Sequence, residues 1–184
     1  MHIHDLILLV IGSEKSGKLR GRTLLQKKLY FLSVLMGEEL DFRAHYYGPY
    51  SSLVSENLDI LVGNGFLNEI TETFATDQNI FGEIRRHTYS LTDDGQALLE
   101  ELKRTGDFEN WQKSLDSINR QDLANDFNKL SIAAKVHYIV SEKGTVTLEQ
   151  VRQIANEYGW QLKDTDIENV LSFLKELSLV VTEE

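Results

Sequence analysis

Apolar residues recur at helical spacing through the N-terminal part of the chain. Those at positions 3, 6, 7, 10 and 11 predict a first helix over residues 3–13, which the polar stretch SEKSGKLRG ends. In the next segment, RTLLQKKLYFLSVLMG, apolar residues cover much of the helix circumference. This pattern predicts a central helix that is buried on most sides, with Gly37 placed to end it.

The single proline of the chain, Pro49, favours the start of a third helix. The preceding run FRAHYY alternates and is rich in aromatic residues, which suggests an extended segment. Proline disfavours a helical conformation in the residue before it and suits the first turn of a helix. With Ser51 or Ser52 as the capping residue, an apolar stripe continues to about residue 63 through Leu53, Val54, Leu58, Leu61 and Val62.

Two strand-like runs, GNGFLNEI and IRRHTYSL, follow the third helix, and the tip between them is predicted at TDQN, residues 76–79. Thr92 is then predicted to cap a fourth helix, whose buried side includes Leu98 and Leu99. Two antiparallel strands after three helices indicate a winged helix-turn-helix domain over residues 1–104. The predicted fold class is therefore mainly α with a small β wing.

The second half of the chain reads as helical throughout. Residues 105–130 are predicted to be connecting helices, with a stripe of Phe108, Trp111, Leu115, Ile118, Leu123, Phe127 and Leu130. Residues 131–184 show three helices, at about 131–142, 147–158 and 164–177, and then a short strand in SLVV. Two capping boxes are expected, Thr147 with Gln150 and Thr165 with Glu168. A short echo of the 58–67 pattern, 113 positions later, predicts a C-terminal helix-turn-helix-like domain.

Composition excludes several kinds of chemistry. The chain of 184 residues has no cysteine, which rules out disulfides, iron–sulfur clusters and a thiol nucleophile. No apolar run approaches the roughly 20 residues that cross a bilayer, and the N-terminus lacks the features of a signal peptide. We therefore expect a soluble, cytoplasmic protein that makes no membrane contact.

No residue constellation points to catalysis. His2 and His4 are two positions apart, so they do not share a helix face, and no ligand cluster accompanies them. Neither a G-x-S-x-G motif nor a phosphate-binding glycine loop with Walker spacing is present. We expect no enzyme activity, no metal and no cofactor.

Charge is distributed unevenly. The net charge is −10, and the third helix, the one that would read DNA in a winged helix, contains Glu56 and Asp59 but no lysine or arginine. The cations gather around the start of the second helix and on the wing. The candidate anion or nucleic-acid contacts are Lys18, Arg20, Arg22, Lys27, Lys28, Arg85 and Arg86. Free backbone donors at a helix N-terminus favour an anion there, but a solvated, flexible basic loop is the alternative.

Three tyrosines near the proline form a second candidate site. Tyr46, Tyr47 and Tyr50, next to His45, combine apolar area with a polar tip and suit a partner-binding surface. The alternative is that they pack the seam between the wing and the central helix.

The stretches GRTLLQKKLYFL and FRAHYYGPYSSLVSENLDILVGNGFL, within residues 19–67, resemble the YwgA-like family of prokaryotic proteins. More distantly they are similar to the Panacea domain of phage-associated antitoxins, which has a comparable leucine-glutamine-lysine helix and Gly-Pro turn. The resemblance implies a non-catalytic, winged-helix-like protein, and its Panacea side implies neutralising or presenting a protein partner. The matching residues are Arg22, Gln26, Lys27, Tyr30, Gly48, Pro49, Tyr50 and Ser51.

Together these patterns predict a regulatory or antitoxin-like protein that acts by macromolecular binding. A protein partner is favoured over DNA because both candidate reading helices are acidic. The alternative is a DNA-binding transcriptional regulator that contacts double-stranded DNA through the basic patch at residues 15–28 and the wing. A homodimer formed through exposed apolar surface is also an open expectation.

Overall fold

A computed structural model describes residues 1–75 and 83–180. The predicted strand tip at residues 76–79 lies outside these residues. The helices are α1 (Ile3–Gly12), α2 (Arg22–Met36), α3 (Ser52–Gly63), α4 (Asp93–Leu102), α5 (Phe108–Asn119), a 3-10 turn (Asp122–Asn125), α6 (Phe127–Lys143), α7 (Leu148–Glu157) and α8 (Asp164–Glu176). The strands are β1 (Leu19–Arg20), β2 (Leu67–Ala75) and β3 (Glu83–Leu91). The protein is mainly helical, as expected.

The three strands form a small antiparallel sheet in the order β1-β3-β2. Strands β2 and β3 pair along their length, from Leu67 opposite Leu91 outward, whereas β1 adds only two residues, with Leu19 opposite Tyr89. The polar stretch SEKSGKLRG predicts a loop at this position and not a strand. The strand conformation of β1 depends on pairing with β3, which a two-residue local pattern does not reveal.

Helices α1 and α2 form the centre of the core. All residues from 6 to 11 of α1 are buried, and so are all residues from 24 to 33 of α2. The prediction of a central, largely buried second helix is confirmed. Helix α1 is enclosed just as completely, because α2, α3, α4 and the sheet pack around it.

The connecting and C-terminal helices share this core. Both α5 and α6 pack on α2, and Tyr30 Oη of α2 lies 2.7 Å from His137 Nδ1 of α6. The predicted division at residue 130 falls inside α6, which begins at Phe127. Phe127 itself is 52% exposed, so it does not continue the buried stripe of α5. It follows Asp126, whose side chain caps α6.

Local capping signals explain most helix starts. Ser51 accepts from the Val54 amide at 3.1 Å, and Thr92 accepts from the Gly95 amide at 3.0 Å, as predicted. The Thr147–Gln150 capping box is also confirmed. The box predicted at Thr165 and Glu168 is wrong, because α8 begins at Asp164 and the Asp166 carboxylate accepts from the Lys163 amide. Residues 178–180 of the predicted SLVV strand form no strand.

Candidate functional site

The segment before α3 forms a closed loop, and only one isolated bridge of the predicted extended run is present. Arg43 and Tyr50 exchange two backbone hydrogen bonds of 2.9 Å each, and the Gly48 amide donates to His45 O at 2.9 Å. Gly48 has a φ of +95°, a conformation that residues with a side chain rarely adopt. Helix α3 begins only at Ser52, so Pro49 belongs to the turn and not to the first helical turn.

Two side chains from α2 hold this loop against the core. The Gln26 amide donates to Ser51 O at 2.9 Å, and its carbonyl accepts from the Ser51 amide at 3.0 Å. Lys27 Nζ donates to Pro49 O at 2.5 Å. All three bonds are buried, so they fix the loop backbone where water cannot substitute for them.

The C-terminal part of the chain also contacts the loop. Trp160 Nε1 donates to His45 O at 2.7 Å, and Lys135 Nζ lies 5.7 Å from the centre of the Trp160 indole ring. A Cβ atom at Gly48 would lie 3.1 Å from Lys135 Cγ, so α6 approaches the loop closely. The loop is therefore fixed from both sides, by α2 and by the segment that follows α7.

This support leaves two aromatic side chains in solvent. Tyr46 is 71% exposed and Tyr47 is 57% exposed, and their rings meet edge to face with centres 4.8 Å apart. Tyr50 is partly buried, with its ring centre 5.0 Å from that of His45. The structure thus separates the predicted tyrosine trio: Tyr46 and Tyr47 present a surface, whereas Tyr50 mainly packs.

Helix α3 carries a second exposed apolar feature. Leu53 is 39% exposed and Ile60 is 48% exposed, and Glu56 lies between them on the same side of the helix. We call these three residues the α3 face. The apolar pattern puts Leu53 in one stripe with Val54, Leu58 and Leu61, but only the last three of these residues are buried. The seven-residue spacing of Leu53 and Ile60, offset by one from the buried set, was the signal for a second stripe.

Arg22, a predicted anion contact, is instead paired with side chains of this same chain in a charge network at the surface. Its Nε donates to Tyr89 Oη at 2.6 Å, and its Nη2 atom lies 2.7 Å from Asp59 and 3.1 Å from Glu69. Burial alone would lower the pKa of Arg22, but the bonds to Asp59 and Glu69 outweigh it and raise that pKa. The guanidinium is neutralised by two carboxylates, so it has little charge left for an external anion.

Glu69 is the shared acceptor of this network. It also accepts from Tyr89 Oη and lies 2.9 Å from His87 Nδ1. Burial raises the pKa of Glu69, yet the bonds from Tyr89 and Arg22 bring it below its usual value. Burial and the bond to Glu69 raise the pKa of Tyr89. The network ties α2, α3 and the two long strands together, which is a structural role.

Two further predicted contacts lie in the interior. Lys27 and Lys28 are each only 1% exposed, which corrects the picture of a continuous basic surface over residues 15–28. Lys27 donates to Pro49 O, and burial, with a smaller contribution from Lys135, lowers the pKa of Lys27 to about 7. Lys28 Nζ lies 2.5 Å from Glu14 Oε1 and 3.0 Å from Asn119 Oδ1. Long stems let both ammonium groups reach these partners from a helix whose every face is covered.

The remaining predicted cations are exposed. Lys18 lies just before β1, Arg20 lies on β1, and Arg85 and Arg86 lie on β3. Because successive strand residues point to opposite faces of a sheet, Arg85 and Arg86 do not form one patch. The structure therefore divides the predicted basic group into a surface pair near β1, two strand residues, the Arg22 network and two buried lysines.

Within residues 1–75 and 83–180, no group of three or more histidine, aspartate or glutamate side chains could hold a metal ion. In the same part of the chain, none of the helices has the length and apolar character needed to span a membrane.

Comparison with known proteins adds one relative. No family model matches the chain. An uncharacterised protein, YwgA of Bacillus subtilis (strain 168), is 26% identical over 168 residues, which cover 90% of this chain and 91% of that protein. The similarity extends well beyond residues 19–67 and supports a relation to YwgA-like proteins.

Proposed function

We propose that this protein is a non-enzymatic winged-helix protein that works by binding a protein partner. The order α1-β1-α2-α3-β2-β3, with a sheet ordered β1-β3-β2, supports the winged-helix assignment. A regulatory or antitoxin-like role, in which the chain neutralises or presents its partner, is the form of this function that the resemblance to the Panacea domain favours.

One observation carries the proposal: the α3 face is apolar and acidic where a DNA reader would be polar and basic. Base edges are read by arginine, lysine, asparagine or glutamine, and phosphates attract cations. The exposed residues of α3 are Ser52, Leu53, Glu56, Asp59, Ile60 and Gly63, which include two aliphatic side chains and two carboxylates but no cation. Burying two branched aliphatic side chains against another polypeptide would be favourable, whereas placing them and a carboxylate beside phosphates would not.

The same residues indicate the chemistry of the partner. Exposed apolar side chains on α3 suit the apolar stripe of an amphipathic partner segment. Glu56 would pair with a positive charge that lies beside that stripe on the partner. Tyr46 and Tyr47 add aromatic area on a backbone that is already fixed, so little conformational entropy is lost on binding. We therefore infer a basic, amphipathic partner segment.

The test compares partner capture by matched variants from the native host. The double variant Leu53→Arg with Ile60→Arg changes the α3 face, and Phe127→Arg makes the same kind of change at a distant exposed apolar residue. Quantitative mass spectrometry should identify a polypeptide that wild type and Phe127→Arg retain and the double variant loses. Equal retention by all three proteins would refute the α3 face as the binding site.

A DNA-binding regulator is the second candidate, and exposed cations beside the sheet favour it. Lys15, Lys18 and Arg20 precede α2, and Arg20 lies opposite Thr88 of β3. They would contact phosphates without reading bases, and Arg85 and Arg86 would contact the backbone from the wing.

Titration with a mixed-sequence duplex at increasing ionic strength separates the two candidates. A DNA binder should bind tightly at low salt and lose affinity steeply as salt rises, because phosphate contacts release counterions. The protein-partner proposal expects no tight duplex binding at low salt. Tight binding that is lost in Lys18→Ala with Arg20→Ala, but not in Leu53→Arg with Ile60→Arg, would favour the regulator instead.

A further inference from the structure

A cavity of about 410 Å³ lies beside the segment that joins α1 to β1. Its wall includes residues 13–16 together with Lys18, Arg20, Leu24, Lys28, Asn119 and Asn125. The volume falls within the range of roughly 300–1,000 Å³ that is typical of small-molecule sites. The cavity is separate from the α3 face and from the tyrosine loop.

The charge of the cavity is opposite to that of the chain. Four cations line it, Lys15, Lys18, Arg20 and Lys28, against the single carboxylate of Glu14. The chain as a whole carries a net charge of −10. An anionic ligand in this recess would interact favourably with several cations at once.

The pairing of these cations divides them into two kinds. Lys28 is buried and satisfied, since Glu14, Asn119 and Asn125 accept from its ammonium at 2.5, 3.0 and 3.5 Å. Lys15, Lys18 and Arg20 are exposed, and none of them forms an ion pair with a residue that the structure describes. Their charges are available, while the buried lysine fixes the inner wall.

The start of α2 adds to the preference of the cavity for an anion. Leu24, in the first turn of α2, lines the cavity. The N-cap residue Gly21 provides no side-chain acceptor, and the first turn of α2 contains no acidic residue. The positive end of the helix dipole therefore adjoins three available cations.

We propose that this cavity binds a small molecule that carries a diphosphate group. Glu14 is paired with Lys28, so the charges of Lys15, Lys18 and Arg20 remain available, and three positive charges match two adjacent phosphates. The volume leaves room for the rest of the ligand beside Leu24 and the two asparagine amides.

Isothermal titration calorimetry with inorganic pyrophosphate at low ionic strength tests the site. Wild type should show saturable binding. Lys18→Ala with Arg20→Ala should weaken it at least about tenfold, because each lost charge-assisted bond contributes more than a neutral one. The matched control, Lys113→Ala with Lys129→Ala, removes two exposed cations elsewhere and should bind as wild type does.

Circular dichroism melting curves should show that both double variants remain folded. The single variant Lys15→Ala is a milder change that should also weaken the binding of pyrophosphate. No saturable binding by wild type, or equal weakening in the control, would overturn the proposal. Displacement of pyrophosphate by a mixed-sequence DNA duplex at lower concentration would assign the cations to a nucleic-acid backbone and also overturn it. The first two failures do not bear on the α3 face, which the cavity does not include, whereas displacement by DNA would also favour the DNA-binding regulator.

Discussion

Acidification should destabilise the protein through His137, a histidine buried between α2 and α6. His137 is 5% exposed, its Nδ1 lies 2.7 Å from Tyr30 Oη, and its ring packs against the Phe31 ring with centres 6.1 Å apart. Burial lowers the pKa of His137 from 6.5 to about 4. The folded state therefore binds fewer protons than the unfolded state between these two pKa values. The stability that the neutral His137 contributes is complete above pH 6.5 and is lost as the pH falls towards 4.

The magnitude follows from the two pKa values. Between about pH 8 and about pH 5, this histidine alone should lower the free energy of unfolding by about 2 kcal/mol. Glutamine at position 137 cannot titrate, and its side-chain amide has both a donor and an acceptor for Tyr30 Oη. Urea unfolding of wild type and His137→Gln at both pH values should give a smaller acid loss in the variant, while other titrating groups cancel in the difference. Equal losses in both proteins would refute the assignment.

Three further predictions concern helix α4 and the loop before α3. Gly95→Ala should lower the free energy of unfolding by roughly 2 kcal/mol or more, because the new Cβ would lie 2.1 Å from the backbone oxygen of Phe66. A Cβ at Gly106 would meet no atom within 4 Å, so Gly106→Ala is the control, and thermal melts of both variants measure the difference. Gln26→Leu should leave the Ser51 amide without a partner, which costs about 1–3 kcal/mol, while the Ser51 carbonyl keeps the Ser55 amide at 3.3 Å. Hydrogen exchange should show faster exchange of the Ser51 amide. If the Ser51 amide stays protected in this variant, the Gln26 contact does not hold the loop. Burial lowers the pKa of Lys27 to about 7, so the free energy of unfolding of wild type should rise by about 2 kcal/mol between about pH 7 and about pH 9. Denaturant titrations should show no such rise for Lys27→Met. An unchanged rise in this variant would contradict the burial argument.

The loop before α3 shows how the two halves of the chain depend on each other. Its inner side is held by Gln26 and Lys27 of α2, and its outer side by Trp160, more than 100 positions away. The Tyr46–Tyr47 pair is presented only because this backbone is fixed. A change in the C-terminal helices should therefore reach the candidate partner surface through His45.

The buried lysines mark the main limit of reading the site from sequence. In QKK, the glutamine and both lysines resemble the polar side of a helix, yet all three are buried. Each has a partner distant in sequence, at Ser51, Pro49 and Asn119. Composition and periodicity report only local neighbours, so they cannot identify an acceptor that folding brings to a lysine.

The sequence by itself determined the helices, the two long strands and most caps, because these depend on apolar spacing and on side chains within a few residues of each helix end. It also determined that α3 would be acidic. Only the tertiary structure decided that β1 is a strand, that Arg22 is neutralised by Asp59 and Glu69, and that Leu53 and Ile60 are exposed. These outcomes depend on which surfaces meet, and that is set by packing between segments distant in the chain.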